Sequence, residues 1–192
     1  MKKISLNDYL KIQPIPSWVI NNEIPKEDDE FTNQFTDSVF LLNSNQVNFI
    51  DKKNTHTNQI AIKIKSKNGV YYFNNIEFSF EYLYEKIVFH YIQIIRNGKI
   101  IDILKKDNFT FFKEKTDASS NIITDLYKIN YTIDGLQVND ILHYCYSYEG
   151  ASPYYRKGLL SYIWQLSHPC QKIYKRVIWP KNQPLYKKNN KD

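Results

Sequence analysis

Residues Ile87–Leu104, IVFHYIQIIRNGKIIDIL, decide the fold that we predict for this chain. Two apolar runs flank the dipeptide Asn97-Gly98, which is the strongest short-range signal for a β-hairpin with a type I′ turn. A second stretch, Val138–Gly150, VNDILHYCYSYEG, begins with a turn and continues as a strand whose tyrosines alternate with smaller or polar residues. Both stretches therefore predict long paired β-strands.

The sequence outside these two stretches also favours strands. Strict alternation of apolar and polar residues in Gln59–Lys65 and Tyr127–Ile133 indicates strands with one face in water. Ile87–Ile95 is apolar on both faces, which is typical of a strand covered on two sides, and residues 67–69 and 134–135 are predicted turns. We predict an all-β fold, an antiparallel β-sandwich with at most one or two short helices. The predicted strands are Val39–Leu42, Val47–Ile50, Gln59–Lys65, Val70–Phe80, Ile87–Arg96, Lys99–Leu104, Tyr127–Ile133, Ile141–Tyr148 and Lys172–Trp179.

Composition divides the chain into three segments. Residues 1–37 are predicted to hold a short helix over Leu6–Ile12, which starts at a capping-box pattern at Ser5, and then a polar, acidic connection. Residues 38–184 hold the predicted β-sandwich. Residues 185–192 form a basic, polar tail.

The net charge of +6 is concentrated at one end of the chain. Residues 171–192 carry seven basic residues against one acidic residue, so the rest of the chain is close to neutral. A basic terminal tail is most often a solvated end, and no nucleic-acid-binding motif accompanies it, so we expect no nucleic-acid partner. No apolar run reaches the roughly 20 residues of a membrane-spanning helix. No signal peptide is visible after Met1, and the cell compartment is left unassigned.

The order of the motifs resembles a bacterial domain of unknown function that occurs at the N-terminus of transglutaminase-like, papain-fold proteins. The matching pieces are His90 within a strand, then Arg96-Asn97-Gly98-Lys99, then Val138–Tyr146, and finally Pro180 after a strand. The resemblance runs from about residue 38 to residue 184. Members of the family are often exported.

The resemblance implies a non-catalytic accessory domain within residues 38–184. Such a domain packs on, positions or assists the substrate engagement of a transglutaminase-like, cysteine-protease-fold domain in the same or a partner chain. It also implies that the chain is either a fragment of a longer protein or a shortened, stand-alone version of the domain. The residues that the resemblance marks for the fold are Arg96, Asn97, Gly98, Asp140 and Pro180.

Cysteine catalysis and metal binding find little support in the sequence. Cys145, His168 and Asp192 stand in the chain order of a papain-like triad, but too few residues separate the cysteine from the histidine for the intervening structure. His143 and Cys145 are the one close pair of metal-ligand types, and a packed, hydrogen-bonded histidine is the favoured interpretation. We expect no catalytic, cofactor-binding or metal-binding residues, and we expect Cys145 and Cys170 to be reduced thiols.

The aromatic residues after the predicted strand Ile141–Tyr148 are candidate interface residues. Core packing, docking of a neighbouring domain and binding of a sugar or peptide all stay open for these side chains and for the tyrosines of that strand. The alternative function is therefore a stand-alone carbohydrate- or peptide-binding module. The candidate interface residues are Tyr154, Tyr155, Tyr162 and Trp164.

Overall fold

The structure is a computed structural model that describes residues 8–50, 54–113, 126–150 and 169–184. Its strands form two facing sheets, which confirms the predicted all-β sandwich. The strands are β1 (Leu10–Ile12), β2 (Ser38–Asn48), β3 (Thr55–Ile64), β4 (Asn75–Glu81), β5 (Glu85–Arg96), β6 (Lys99–Asp102), β7 (Phe109–Lys113), β8 (Leu126–Thr132), β9 (Ile141–Gly150) and β10 (Cys170–Ile178). The helices are α1 (Asp29–Thr32), α2 (Lys67–Phe73) and a 3-10 helix over Lys106–Asn108.

The large sheet has the order β1-β5-β9-β3-β2-β10, with β6 paired to β5, and the small sheet has the order β4-β8-β7. Neighbours within β5-β9-β3-β2 are antiparallel. The two outer strands, β1 and β10, instead pair in parallel with β5 and β2. Both parallel pairs join strands that are distant in sequence, since parallel neighbours need a long connection.

The main core lies between the two sheets. In β4, Ile76, Phe78 and Phe80 point inward and are buried, whereas the residues between them are exposed. The rings of Phe78 and Phe89 meet edge to face with centroids 4.9 Å apart, so aromatic contacts join the small sheet to the large one. The tyrosines of β9 also pack on this core, and they are Tyr144, Tyr146 and Tyr148.

The predicted hairpin is present, and its turn has the predicted conformation. Asn97 and Gly98 both have positive φ, at 52° and 73°, as a type I′ turn requires. The flanking residues Arg96 and Lys99 are directly paired. Asn139 also has a positive φ of 73°, which asparagine tolerates better than most residues.

The predicted helix over Leu6–Ile12 is wrong where the structure describes it. Leu10–Ile12 is strand β1, because its main chain pairs with β5 along the edge of the sheet. The amide of Ile87 donates to the carbonyl of Tyr9 at 2.9 Å, and the pairing continues to Gln13. Three residues of main-chain pairing thus override the local helix signal.

A second correction concerns α2, where we predicted a turn at residues 67–69 followed by a strand from Val70. The segment is helical because Ser66 caps it, accepting a hydrogen bond from the Gly69 amide at 3.1 Å. A Cβ at Gly69 would lie 2.1 Å from the carbonyl oxygen of Asp37, so the helix can approach that loop only with glycine there. The strand therefore begins later, as β4.

Two smaller corrections concern strand ends. Val39–Leu42 and Val47–Ile50, predicted as two strands, lie mostly in the single strand β2, which ends at Asn48 and carries a register shift near Leu41. The predicted strand Lys172–Trp179 begins two residues earlier, at Cys170, as β10. Within the described ranges, no helix is long and apolar enough to cross a membrane.

Candidate functional site

The large sheet has a second face, opposite the main core, that is lined by polar side chains. Strand register aligns Thr57 with Ser147, Gln59 with Cys145, and Ser44 with Gln59. Residues 13–28, here called the strap, contact this face. The polar face is made up of Ser44, Gln46, Thr57, Gln59, His90, Tyr91, His143, Cys145 and Ser147.

A β-bulge in β5 brings two consecutive side chains to the polar face. Phe89 is paired with Tyr146, and Tyr91 with Cys145, so His90 is one extra residue on β5. A bulge of this kind interrupts the alternation of the strand. His90 and Tyr91 can therefore both bond to polar-face residues of β9.

His90 belongs to a short chain of hydrogen bonds. Its Nε2 lies 2.7 Å from Ser147 Oγ, which in turn lies 2.7 Å from Thr57 Oγ1. Its Nδ1 lies 3.0 Å from the carbonyl oxygen of Gln13, which only accepts, so the proton is on Nδ1 and Ser147 donates to Nε2. Burial lowers the pKa of His90, which favours this neutral form. Ser147 is 1% exposed, so this serine–histidine pair acts as an internal hydrogen bond.

His143 and Cys145 also lie on the polar face, two positions apart on β9. The His143 Nε2 lies 2.8 Å from the hydroxyl of Tyr91, and burial lowers the pKa of His143 to about 4. Burial raises the pKa of Cys145 to about 12, whereas a cysteine nucleophile needs a lowered pKa. Both cysteines are free thiols. The described part of the chain holds no cluster of three or more histidine, cysteine or acidic side chains suited to a metal.

Two glutamines of the polar face bind the main chain of the strap at two points each. The side-chain amide of Gln46 accepts from the Ile20 amide at 2.9 Å and donates to the Ile20 carbonyl at 2.6 Å. Gln59 does the same with Asn22, at 3.0 and 2.7 Å. The strap is thus held at two residues that are two positions apart in sequence.

Side chains of strand β10 make further hydrogen bonds along the strap. Gln171 donates to the carbonyl of Lys26 at 2.7 Å and accepts from the amide of Asp28 at 3.3 Å. Lys172 and Arg176 donate to strap carbonyls, at Glu23 and Trp18 respectively. These two basic residues, which sequence analysis assigned to a solvated end, therefore bind main-chain oxygens.

The residues predicted from the motifs lie elsewhere. Arg96 and Asp140 form an ion pair at one end of the large sheet, and the hairpin turn Asn97-Gly98 directly follows Arg96. Pro180 lies just after β10 and accepts a hydrogen bond from the Gln183 amide at 3.2 Å. The predicted interface residues fall outside the described residues, and they are Tyr154, Tyr155, Tyr162 and Trp164.

Sequence reasoning missed the glutamines of the polar face. A signal was present, because Ser44 and Gln46 in β2 alternate with other side chains, as do Thr57 and Gln59 in β3. These residues are polar but uncharged, and all are at most 1% exposed. A wet strand face normally carries charges, so a face of uncharged amides and hydroxyls indicates a buried polar layer.

Two solved structures match this chain. One is described as "crystal structure of a putative protease from Parabacteroides distasonis ATCC 8503", with a TM-score of 0.54 and 11% identity over 62% of this chain. Only 24% of that protein is covered, so this chain spans about a quarter of its length. The other is a CBM3a-L domain from the scaffoldin cipA of the Clostridium thermocellum cellulosome, with 15% identity over 59% of this chain and 66% of that one. Its TM-score of 0.33 is too low to define a shared fold.

The comparison with protein families gives the clearest result. No curated protein matches the chain. A family model, described as "Domain of Unknown Function with solved-structure structure (DUF3857)", matches residues 51–192. The match includes β3, β5, β9 and β10, which carry Gln59, His143 and Arg176, whereas β2 and the strap precede it. The chain belongs to the DUF3857 family of domains of unknown function.

Proposed function

We propose that this chain is a non-catalytic accessory β-domain that serves a transglutaminase-like, papain-fold catalytic domain in the same or a partner chain. The observation that carries the proposal is that the histidine, cysteine and serine side chains of the polar face are held in unreactive forms. His143 is kept neutral beside Tyr91, and the thiol of Cys145 is kept protonated by burial, as the lowered and raised pKa values of the two groups indicate. Ser147 is enclosed between His90 and Thr57. These groups stabilise the sheet and its strap.

The motif order supports the link to transglutaminase-like proteins. Arg96-Asn97-Gly98-Lys99 and Val138–Tyr146 are the segments on which that resemblance rests. The similarity to about a quarter of a protein described as a "putative protease" supports a role as one part of a larger assembly. For the contact with the catalytic domain we propose the aromatic residues that follow β9, Tyr154, Tyr155, Tyr162 and Trp164.

The proposal is tested by separating catalysis from binding. The purified chain is assayed alone for incorporation of dansylcadaverine into casein and for cleavage of labelled casein. We expect neither activity above the buffer control. The papain-fold domain encoded in the same or a neighbouring reading frame is then titrated into the chain by calorimetry, and we expect saturable binding. Turnover by the chain alone, or no binding to that domain, would contradict the proposal.

The alternative is a stand-alone module that binds a carbohydrate or a peptide. The double contacts of Gln46 and Gln59 with main-chain groups favour a peptide over a glycan. Binding to immobilised glycan and peptide panels in the absence of any catalytic domain separates this alternative from the accessory role. Loss of that binding in a Tyr154→Ser, Tyr155→Ser variant would assign it to the predicted aromatic surface.

A further inference from the structure

The sheet recognises the strap through the main chain of the strap. Arg176 binds the carbonyl of Trp18, Gln46 binds both main-chain groups of Ile20, and Gln59 binds both main-chain groups of Asn22. The Ile20 side chain is 46% exposed. At Ile20 the sheet therefore binds the strap through main-chain hydrogen bonds.

The spacing of the contacts matches an extended peptide. Residues 20 and 22 are two apart, and in an extended chain the main-chain groups of residues i and i+2 point to the same side. Gln46 and Gln59 stand on the adjacent strands β2 and β3. A primary amide has both a donor and an acceptor, so each glutamine reproduces the two bonds that a neighbouring strand would offer.

Asparagine side chains add selectivity to this site. Gln59 Nε2 donates to Asn21 Oδ1 at 3.0 Å, and Asn22 Nδ2 donates to Ser44 Oγ at 3.1 Å. Both sheet atoms also have other partners, since Gln59 Nε2 donates to the Asn22 carbonyl and Ser44 Oγ lies 3.3 Å from Gln46 Nε2. The two asparagines therefore add hydrogen bonds that an apolar peptide would not make, so the site favours a segment with amide side chains at these positions.

The contacts between the strap and the polar face differ in chemistry from those of the main core. The opposite face of the same sheet is sealed by apolar rings such as Phe78 and Phe80. The strap instead replaces water around polar atoms, and each such hydrogen bond contributes little net free energy because a hydrogen bond to water is lost when it forms. A competing peptide with the same main-chain groups would make the same bonds.

We propose that the polar face is a binding site for an extended peptide of a partner protein, and that residues 18–23 are its in-chain occupant. Gln46 and Gln59 are the main-chain receptors of the site. The peptide class that fits has an apolar residue followed by two asparagines, as in Ile20-Asn21-Asn22. The inference depends on the geometry of the polar face and applies whichever role in the preceding subsection is correct.

The first test uses the full chain with its strap loosened. Ile20→Pro together with Asn22→Pro removes the two amide donors to the glutamines, and Glu23→Pro is the matched control because no glutamine accepts from its amide. The probe is a fluorescein-labelled peptide of residues 16–25, PSWVINNEIP, and binding is followed by fluorescence anisotropy. We expect the double variant to bind the probe at least tenfold more tightly than the wild-type and control chains.

Modified probes test the main-chain contacts. N-methylation at Ile20 or at Asn22 of the peptide should weaken binding at least tenfold, whereas N-methylation at Asn21, between the two contacts, should not. Equal binding of all three peptides, or no binding by a folded double variant, would overturn the proposal. Dimerisation of that variant by exchange of straps would also overturn it, because a second copy would then be the occupant.

A measurement on the wild-type chain covers the case in which the double variant does not fold. Hydrogen exchange at the Ile20 and Asn22 amides is measured with and without saturating unlabelled peptide. Displacement of the strap should speed exchange at both amides, while exchange within β9 stays the same. Unchanged exchange at Ile20 and Asn22 under saturating peptide would overturn the proposal.

Discussion

Arg96 and Asp140, 44 residues apart in sequence, are joined by two parallel hydrogen bonds of 2.8 Å each. The Asp140 carboxylate is 1% exposed and also accepts from the Gln137 amide at 2.7 Å. Arg96 in turn donates to the carbonyl of Gly135 at 2.7 Å. This pair ties the hairpin at the end of β5 to the loop that leads into β9.

Removing the buried partner should destabilise the fold. In Asp140→Ala, the Arg96 guanidinium and the Gln137 amide lose their acceptor, and we expect a loss of about 2 kcal/mol in the free energy of unfolding. Urea denaturation measures this loss. Asp107→Ala, at an exposed position, is the matched control and should change the free energy by less than about 0.5 kcal/mol. Similar losses in both variants would contradict a special role for Asp140.

The stability of the protein should fall as the pH is lowered from about 6.5 towards 4. The pKa of His143 is about 4 in the folded chain, against an ordinary value of 6.5, so the unfolded chain binds the extra proton across that interval. One such proton changes the free energy of unfolding by at most about 1.4 kcal/mol per pH unit. Urea midpoints at several pH values measure the slope, and His143→Gln should make it shallower. An unchanged slope in that variant would assign the effect to other groups, such as His56 and His90, whose pKa values burial also lowers.

Cys145 should resist alkylation in the folded protein. Its thiol is buried and its pKa is raised to about 12, so little thiolate exists at neutral pH. Iodoacetamide at pH 7.5, followed by peptide mass spectrometry, should modify the half-buried Cys170 first and Cys145 only after addition of urea. Modification of Cys145 faster than a free thiol would reveal an activated nucleophile and contradict the non-catalytic proposal.

Gly98 should be replaceable by asparagine but not by a β-branched residue. Its φ of 73° is left-handed, and a Cβ added there would meet no atom within 4 Å beyond the adjacent residues, so the cost of substitution is conformational. We expect Gly98→Val to lose about 1–2 kcal/mol of unfolding free energy and Gly98→Asn to lose less. Thermal melts of the two variants compare them directly. Equal losses would show that the turn does not depend on left-handed conformation.

The predicted aromatic interface gives a separate test. Tyr162→Ser together with Trp164→Ser should weaken association with the partner domain, or self-association, without loss of the β-sheet signal in circular dichroism. Sedimentation velocity measures the association. Loss of the sheet signal would instead place these side chains in the core.

The local elements of the fold were accessible to sequence reasoning. Asn97-Gly98 determines a turn through the conformations of two adjacent residues, and alternation over Tyr127–Ile133 reports which face of a strand is buried. Both signals lie within a few residues. The motif resemblance marked Arg96 and Asp140 for the fold, but only the folded chain shows that they bind each other.

What the sequence did not predict depends on distant partners. Leu10–Ile12 is a strand only because β5 lies beside it, and the strap is held by Gln46 and Gln59 from strands that follow it in sequence. The helix α2 is an exception, since its cap at Ser66 is local. There the capping signal at Ser66 was missed, and Val70–Phe80 was wrongly predicted to be a strand over its whole length.

The bulge in β5 changes how the apolar pattern of that strand should be understood. Ile87 and Phe89 face the main core before the bulge, and Ile92 and Ile94 face it afterwards, so the core positions switch from odd to even numbers at His90. A strand one residue shorter, without His90, would place the same four side chains in the core by regular alternation. The extra residue therefore adds no side chain to the core, and its hydrogen bonds lie on the opposite face of the sheet. His90 behaves as a one-residue insertion that joins Ser147 of the polar face to Gln13 of the strap.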